Sequence, residues 1–253
     1  MLRTLAEKLS RGIAFRRRLP SSVGGLAVYV SPDSQLKYLK PHDAAFDPSV
    51  LRLAMEHVHD RSVVWDVGAN VGVFTFAAAG LARAGEVVAI EPDAWLAHLL
   101  RRSSRLPRNA RAAVSVVSLA VSDRNGVADF VVASRGRASN YLTATGGRTQ
   151  SGGARERLHV PTLTLDTLLE TFRPPTFLKI DVEGAEALAL RGAYRMLHEV
   201  RPALYIEVGE PNAAEVSALL AAANYRIYDS TRPGDARAQL DRCVQDTLAL
   251  PYP

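Results

Sequence analysis

Residues 62–93 contain the pattern that most constrains the fold of this chain: a strand, a glycine turn, an apolar helix and a second strand. The first strand ends in Asp66, and the turn at 68–72 precedes a helix predicted over 73–83. The second strand ends in Glu91. Parallel strands joined through a helix bring their carboxyl ends to one edge of a sheet, where ligands bind. The pattern therefore predicts an α/β domain with a ligand site at this edge.

The glycine turn favours a nucleoside ligand that carries no phosphate. A dinucleotide turn has the pattern G-x-G-x-x-G, but here Asn70 replaces the middle glycine. Asp66 would repel a phosphate and attract an ammonium group, while Gly68 and Gly72 would let the backbone approach a ligand closely. Glu91 lies 19 residues after Gly72, where an acid can bind ribose hydroxyls. We therefore expect S-adenosylmethionine, its amino group oriented by Asp66 directly or through water; an ordinary tight turn is the alternative.

A second stretch, FLKIDVEGAE at 177–186, is again a buried-type strand that ends in acids before a helix. With it, the sequence resembles the FkbM-type methyltransferase family over about 46–207. The resemblance is carried by DVGANVG (66–72), EPD (91–93), AVSDRNG (120–126), LKIDVEGAE (178–186) and YIE (205–207). It implies a Rossmann-like class I methyltransferase fold, with a seven-stranded, mostly parallel sheet and helices on both faces. It also implies S-adenosylmethionine-dependent O-methylation of a hydroxyl on a sugar, glycolipid or natural-product-like acceptor.

Further cofactor contacts are expected at the strand ends. The family motifs add Pro92, Ala120 and Asp181 to the predicted cofactor-binding residues. Asp123 could accept a hydrogen bond from the adenine amino group, although Asp123 also begins a sequence typical of an Asx turn. The family often has a Glu-Pro pair near the cofactor, and this chain has Asp47 with the shorter side chain at that point.

Three acids are candidates for activating the acceptor hydroxyl, because a sugar hydroxyl is a weak acid. Asp181, Glu183 and Glu207 follow or end neighbouring predicted strands. One of them would act as a general base, or Asp181 and Glu207 would hold a Mg²⁺ ion. In the alternative, Glu183 caps a helix and Asp181 contacts only the cofactor. His159 is the reserve candidate for the base.

Residues 134–157 form a long polar segment rich in glycine and arginine. Such a segment in a compact domain is usually functional or disordered. We predict a lid over the acceptor site, whose arginines would hold an anionic group of the substrate. A solvated insertion is the alternative.

The chain is predicted to consist of an N-terminal basic helix and edge hairpin, residues 1–45, and a methyltransferase domain, residues 46–253. Residues 1–18 carry six basic side chains against one acid, with apolar residues at helical spacing. This amphipathic pattern suits docking at the inner face of an anionic membrane. Packing on its own domain, or on a partner subunit of a homo-oligomer, is the alternative.

Composition excludes several classes of protein. Outside residues 1–18, the 25 basic and 25 acidic residues cancel, which argues against nucleic-acid binding. No apolar run approaches the roughly 18 residues of a membrane span, and the single cysteine favours a reducing cytoplasm. Two other functions stay open: a nicotinamide-dependent oxidoreductase, and a non-catalytic nucleoside-binding protein on the same fold.

Overall fold

The computed structural model describes residues 9–145, 152–232 and 234–252, and gives no side-chain description for Asp235. Its strands are β1 (Phe15–Arg18), β2 (Ala27–Val30), β3 (Val63–Val67), β4 (Glu86–Ile90), β5 (Val114–Val117), β6 (Ala120–Val121), β7 (Gly126–Ala133), β8 (Tyr141–Leu142), β9 (Ala154–Leu163), β10 (Phe177–Ile180), β11 (Ala203–Glu207), β12 (Tyr225–Asp229), β13 (Gln239–Leu240) and β14 (Asp246–Pro251). Its α-helices are α1 (Pro48–His57), α2 (Val73–Leu81), α3 (Ala94–Ser104), α4 (Leu165–Leu168), α5 (Glu186–Arg191) and α6 (Ala213–Ala222).

The main sheet has the strand order β13-β12-β14-β11-β10-β3-β4-β5. Strands β11, β10, β3, β4 and β5 are mutually parallel, whereas β14 runs antiparallel to both of its neighbours. The Rossmann-like α/β fold is thus confirmed, but the predicted count of seven strands is wrong. The short strand β13 extends the edge as an eighth.

Helices cover both faces of this sheet because its central strands are apolar on both sides. In β3, Val63 and Trp65 pack in the core beneath α4, α5 and α6. Val64 points to the opposite face and packs with α1, α2 and α3. All five residues of β3 are buried, including Asp66 on the Val64 face. Burying an apolar side chain such as Val64 stabilises the fold by about 1.5–3 kcal/mol.

Short polar caps fix where two of the helices begin. The Asp47 carboxylate accepts a hydrogen bond from the backbone N–H of Ser49 at 3.0 Å, and Pro48 takes the first helical position of α1. The Asp93 carboxylate accepts from the backbone N–H groups of Trp95 and Leu96 at the start of α3. These caps satisfy N–H groups that a helix leaves without partners.

Two smaller sheets flank the main one. A four-stranded sheet has the order β6-β9-β7-β8, and β1 pairs antiparallel with β2. The helix predicted over residues 1–18 is wrong for its last part, because Phe15–Arg18 is a strand that alternates half-buried and exposed side chains. Residues 1–8 of that predicted helix lie outside the described residues. Within the described part of the chain, no helix is both long and apolar enough to cross a membrane.

Candidate active site

A cavity of about 270 Å³ lies at the carboxyl ends of β3, β4 and β10, the edge predicted from the sequence. The strand ends contribute Gly68, Glu91 and Asp181. Apolar groups line another part of the wall: Pro92, Leu119, Ala120, Val121, Phe130 and Leu142. The predicted contacts Pro92 and Ala120 therefore lie where a flat aromatic base could be buried.

The Glu91 carboxylate is 5% exposed and lines this cavity. Its two oxygens accept hydrogen bonds from the backbone N–H groups of Asn70, at 2.8 Å, and Asp93, at 2.9 Å. Burial raises the pKa of Glu91 to about 8, against the lowering effect of these two hydrogen bonds. Each carboxylate oxygen can accept more than one hydrogen bond, so neighbouring ligand hydroxyls can still be bound.

The glycine turn is held by hydrogen bonds and by close backbone packing. Asn70 lines the cavity in the left-handed conformation, with φ 54°, and its side-chain oxygen accepts from the hydroxyl of Ser34 at 2.6 Å. A Cβ on Gly68 would lie 1.9 Å from the carbonyl oxygen of Asp181, so glycine is required for the two strand ends to meet. Gly72 does not line the cavity, and a Cβ there would collide with Leu100 of α3 at 2.5 Å. Gly72 therefore allows α3 to pack closely. The sequence had predicted that Gly72 lets the backbone approach a ligand.

Asp66 does not line the cavity either, and its predicted role of orienting the cofactor's amino group, directly or through water, stays a prediction. Side chains alternate along a strand, so Asp66 points to the face covered by α1 and α2 while Val67 and Gly68 reach the cavity. The Asp66 carboxylate is fully buried, accepts from the hydroxyl of Thr75 at 2.6 Å and forms an ion pair with Lys179 at 3.3 Å. Its place in the structure is thus a buried polar cluster behind the cavity.

Lys179 joins this cluster to the cavity. Its ammonium group also donates to the Asp181 carboxylate at 3.0 Å. Burial would lower the pKa of Lys179, but the carboxylates of Asp181 and Asp66 outweigh it and raise the pKa above its ordinary value. Lys179 is therefore a permanent cation that holds Asp181 in one orientation at the cavity wall.

The three predicted catalytic acids do meet at the cavity: Asp181, Glu183 and Glu207 all line it. Glu183 does not cap α5, since the helix begins at Glu186 and Ala185 is its N-terminal cap residue. The Mg²⁺ prediction at Asp181 and Glu207 is not supported. Among the described residues, no group of three or more His, Cys, Asp or Glu side chains is placed to hold a metal ion.

Two predicted residues lie away from the site. His159 is on β9 with a side chain that is 81% exposed, and it pairs with Asp129 on the neighbouring strand at 2.8 Å. His159 does not line this cavity, so the structure does not bring the reserve base together with the three acids. Asp123 lies in an exposed turn and does not line the cavity, so its contact with adenine stays a prediction.

The segment predicted as a lid is largely built into the fold. Residues 137–142 line the cavity described above, and β9 already begins at Ala154. Residues 146–151 lie outside the described residues. Arg137 forms ion pairs with Asp33, at 3.0 Å, and with Asp93. Arg155 pairs with Asp33 at 2.8 Å. These two arginines are therefore neutralised within the protein, where the sequence had suggested binding of an anionic substrate; a lid function of the segment remains a prediction.

We call Asp33, Asp93, Arg137 and Arg155 the arginine clasp; sequence reasoning did not identify it. Its carboxylates are buried, with 4% and 2% of the Asp33 and Asp93 side chains exposed. Asn140 adds a hydrogen bond to Asp93 at 2.8 Å. The partners are separated by 44 to 122 positions in the chain, so no local pattern could reveal them.

Gln35 is a second residue that the sequence did not reveal. It lines the cavity from the N-terminal part of the chain, before the DVGANVG motif at 66–72. Its side-chain oxygen is buried and has no hydrogen-bond partner among the described residues. A buried acceptor of this kind has a free-energy cost unless a donor reaches it. Gln35 therefore offers the cavity an acceptor for a ligand N–H or O–H group.

Comparison with known families decides the class of this site. A family model described as the methyltransferase FkbM domain matches residues 66–227. The chain belongs to the FkbM methyltransferase family. The match favours the methyltransferase prediction over the oxidoreductase alternative, and it includes the four acids that line the cavity.

Individual relatives are distant. The chain is 25% identical over 190 residues to hexuronic acid methyltransferase AglP of Haloferax volcanii, which covers 74% of this chain and 73% of that protein. Among solved structures, methyltransferase FkbM of Methylobacillus flagellatus KT has 17% identity and a TM-score of 0.46, covering 86% of this chain and 58% of the other. Precorrin-6y C5,15-methyltransferase of Geobacter metallireducens GS-15 has 10% identity and a TM-score of 0.45, covering 79% and 85%.

Proposed function

We propose that this chain is an S-adenosylmethionine-dependent O-methyltransferase whose acceptor is a hydroxyl of a sugar or a similar polyhydroxylated molecule. The observation that carries the proposal is Glu91, a buried carboxylate at the end of β4 that faces the cavity. Membership of the methyltransferase family supports it. The sugar acceptor is supported by the relative named as a hexuronic acid methyltransferase.

The residues of the cavity fit the three parts of this cofactor. Glu91 accepts hydrogen bonds from the two ribose hydroxyls, as a carboxylate with two free acceptor directions can. The apolar part of the wall, with Pro92 and Phe130, holds the adenine. The unpartnered oxygen of Gln35 accepts from the methionine ammonium group, the role that the sequence had assigned to Asp66.

The bound cofactor supplies an electrophilic methyl group on a sulfonium with a good leaving group. The protein must then align the acceptor oxygen and remove its proton. Asp181 and Glu207 line both the cofactor cavity and a neighbouring cavity, so they lie between donor and acceptor. One of these carboxylates takes the hydroxyl proton as the new carbon–oxygen bond forms. Lys179 orients the Asp181 carboxylate for this step.

Calorimetry with S-adenosylhomocysteine and with NAD tests the cofactor half of the proposal. We expect binding of the former only, and Glu91→Ala should weaken it by about ten- to a hundredfold, the effect of losing about 1.5–3 kcal/mol of hydrogen bonding to a charged group. Glu86→Ala is the matched control, because Glu86 begins the same strand at its opposite end. Unchanged binding to Glu91→Ala would reject the assignment.

Transfer from labelled S-adenosylmethionine tests the chemical half. Asp181→Asn and Glu207→Gln should each retain the cofactor, and the variant that lacks the base should lose about 10²–10⁴-fold in turnover. A chelator should leave turnover unchanged. If both variants keep full turnover, the base is another residue; if the chelator abolishes turnover, a metal takes part.

A further inference from the structure

A second cavity, of about 290 Å³, adjoins the first on the side of α1 and β14. The two cavities share Asp181 and Glu207 in their walls. A molecule in the second cavity would therefore meet the first cavity at the acids assigned above to proton removal. This position is what methyl transfer requires of an acceptor, because the oxygen must approach the methyl group in line.

Carboxylates prevail in the wall of the second cavity. Its acidic residues are Asp47, Glu56, Asp181, Glu207 and Asp246. The two cations in the wall are Arg52 and Lys179. The wall thus carries five acids and two bases, and two of the acids also pair with cations outside it: Asp47 with Lys37 at 3.8 Å, and Glu56 with Arg237.

Both cations are already engaged by the protein. Lys179 lies between Asp66 and Asp181, at 3.3 and 3.0 Å. Arg52 pairs with Glu56 at 3.7 Å, and it donates to the backbone carbonyl of Thr231 at 3.3 Å. Among the described residues of the wall, both cations are thus paired with protein carboxylates, so a carboxylate, sulfate or phosphate group in this cavity would face like charges.

We propose that the second cavity binds the acceptor, and that it selects a neutral or amine-bearing sugar against a uronic acid. This inference rests on the proposed function and adds the charge class of the substrate. Sugar hydroxyls and an ammonium group donate hydrogen bonds. The carboxylates in the wall and the hydroxyl oxygens of Ser230 and Thr231 can accept them. In the reaction, the acceptor oxygen bonds to the methyl carbon, the sulfur–carbon bond breaks to leave the thioether, and the hydroxyl proton passes to Asp181 or Glu207.

The test uses three sugars of the same ring configuration and different charge: the 4-nitrophenyl glycosides of glucose, glucosamine and glucuronic acid. Transfer from labelled S-adenosylmethionine should give a kcat/KM at least tenfold higher for the glucoside or the glucosaminide than for the glucuronide. A preference for the glucuronide would overturn the inference while leaving the methyltransferase function intact.

A pair of tryptophan substitutions locates the acceptor. Gln245 lines the second cavity, whereas the neighbouring Val244 is exposed and does not. Gln245→Trp should reduce turnover at least tenfold and leave the affinity for S-adenosylhomocysteine unchanged, and Val244→Trp should alter neither. Full turnover by Gln245→Trp would place the acceptor elsewhere and overturn the inference.

The electrostatic cause has its own variant. Glu56→Gln removes the carboxylate that pairs with both Arg52 and Arg237, so activity toward the glucuronide should rise at least threefold relative to the glucoside. Glu86→Gln, at the start of β4, is the matched control and should leave the ratio unchanged. An unchanged ratio in Glu56→Gln would overturn the charge argument.

The possible failures are distinguishable. If S-adenosylhomocysteine binds and none of the three glycosides is methylated, the sugar class is overturned and the cofactor assignment stands. If S-adenosylhomocysteine does not bind at all, the proposed function itself fails.

Discussion

At the scale of single residues, Glu91 is a carboxylate whose burial is unfavourable and whose proposed role is to bind the ribose of the cofactor. The carboxylate is nearly enclosed, and its pKa of about 8 means that the folded protein binds a proton more readily there than the unfolded chain does. The stability that this group contributes is therefore fully present below its ordinary pKa of 4.5. It is lost as the pH rises to about 8. A ligand with two hydroxyl groups donates two further hydrogen bonds to the ionised carboxylate and so offsets the cost of burying its charge.

Ribose binding should accordingly depend on pH. The ionised form of Glu91 offers two acceptor oxygens, so the affinity for adenosine should rise between about pH 6 and about pH 8, by up to about tenfold per pH unit, and then level off. Adenosine is the probe because it lacks the titrating amino acid part of the cofactor. Calorimetry on Glu91→Gln should give a flat profile. An equally steep profile in that variant would assign the titration to another group.

Asp66 should matter for stability and much less for cofactor affinity. Removing a buried, ion-paired carboxylate costs about 3–5 kcal/mol, so Asp66→Ala should lower the free energy of unfolding in urea by that amount. Asp60→Ala is the control, because Asp60 is 52% exposed in its ion pair with Arg83 and such pairs contribute up to about 1 kcal/mol. A tenfold loss of S-adenosylhomocysteine affinity with little loss of stability would instead support the contact, direct or through water, that the sequence predicts.

At the scale of elements, the arginine clasp ties the segment 137–142 to two loops of the site. Arg137 bridges Asp33, which precedes the glycine turn in the chain, and Asp93, which caps α3. Arg137→Met removes these ion pairs, so the segment should become ordered only when the ligand binds. Because that ordering opposes binding, the affinity for S-adenosylhomocysteine should fall severalfold. Arg157→Met, on the exposed side of β9, is the matched control. Equal affinities would make the clasp a purely structural device.

The elements also show what a sequence can and cannot predict. Helix α2 begins at residue 73 as predicted, since the glycine turn and the apolar run that follows it are contiguous in the chain. The strand ends and their acids followed from motifs that are contiguous in the chain. The orientation of Asp66 did not, because an alternating strand places it on the face opposite to the cavity. Arg137 and Gln35 could not be predicted either, as their roles depend on residues brought together only by the fold.

At the scale of the whole molecule, the cavity is built from more than the family domain. The family match begins at residue 66, yet Gln35 and Asp33 belong to the segment before it. The four-stranded sheet supplies Phe130 and the segment 137–142 to the same cavity. Binding of the cofactor should therefore couple three parts of the chain that are far apart in sequence.

Hydrogen exchange with and without S-adenosylhomocysteine should reveal this coupling. Ligand binding should slow exchange in the glycine turn at 68–72 and, in parallel, at 31–35 and 137–142, because opening either outer segment would expose the bound ligand. Strands β12 and β14 line no part of the first cavity and should exchange equally in both states, which makes them an internal control. Adding an acceptor sugar should then protect 245–246 beside the second cavity. Protection confined to the glycine turn would mean that the outer segments are passive walls, and that the family domain alone binds the cofactor.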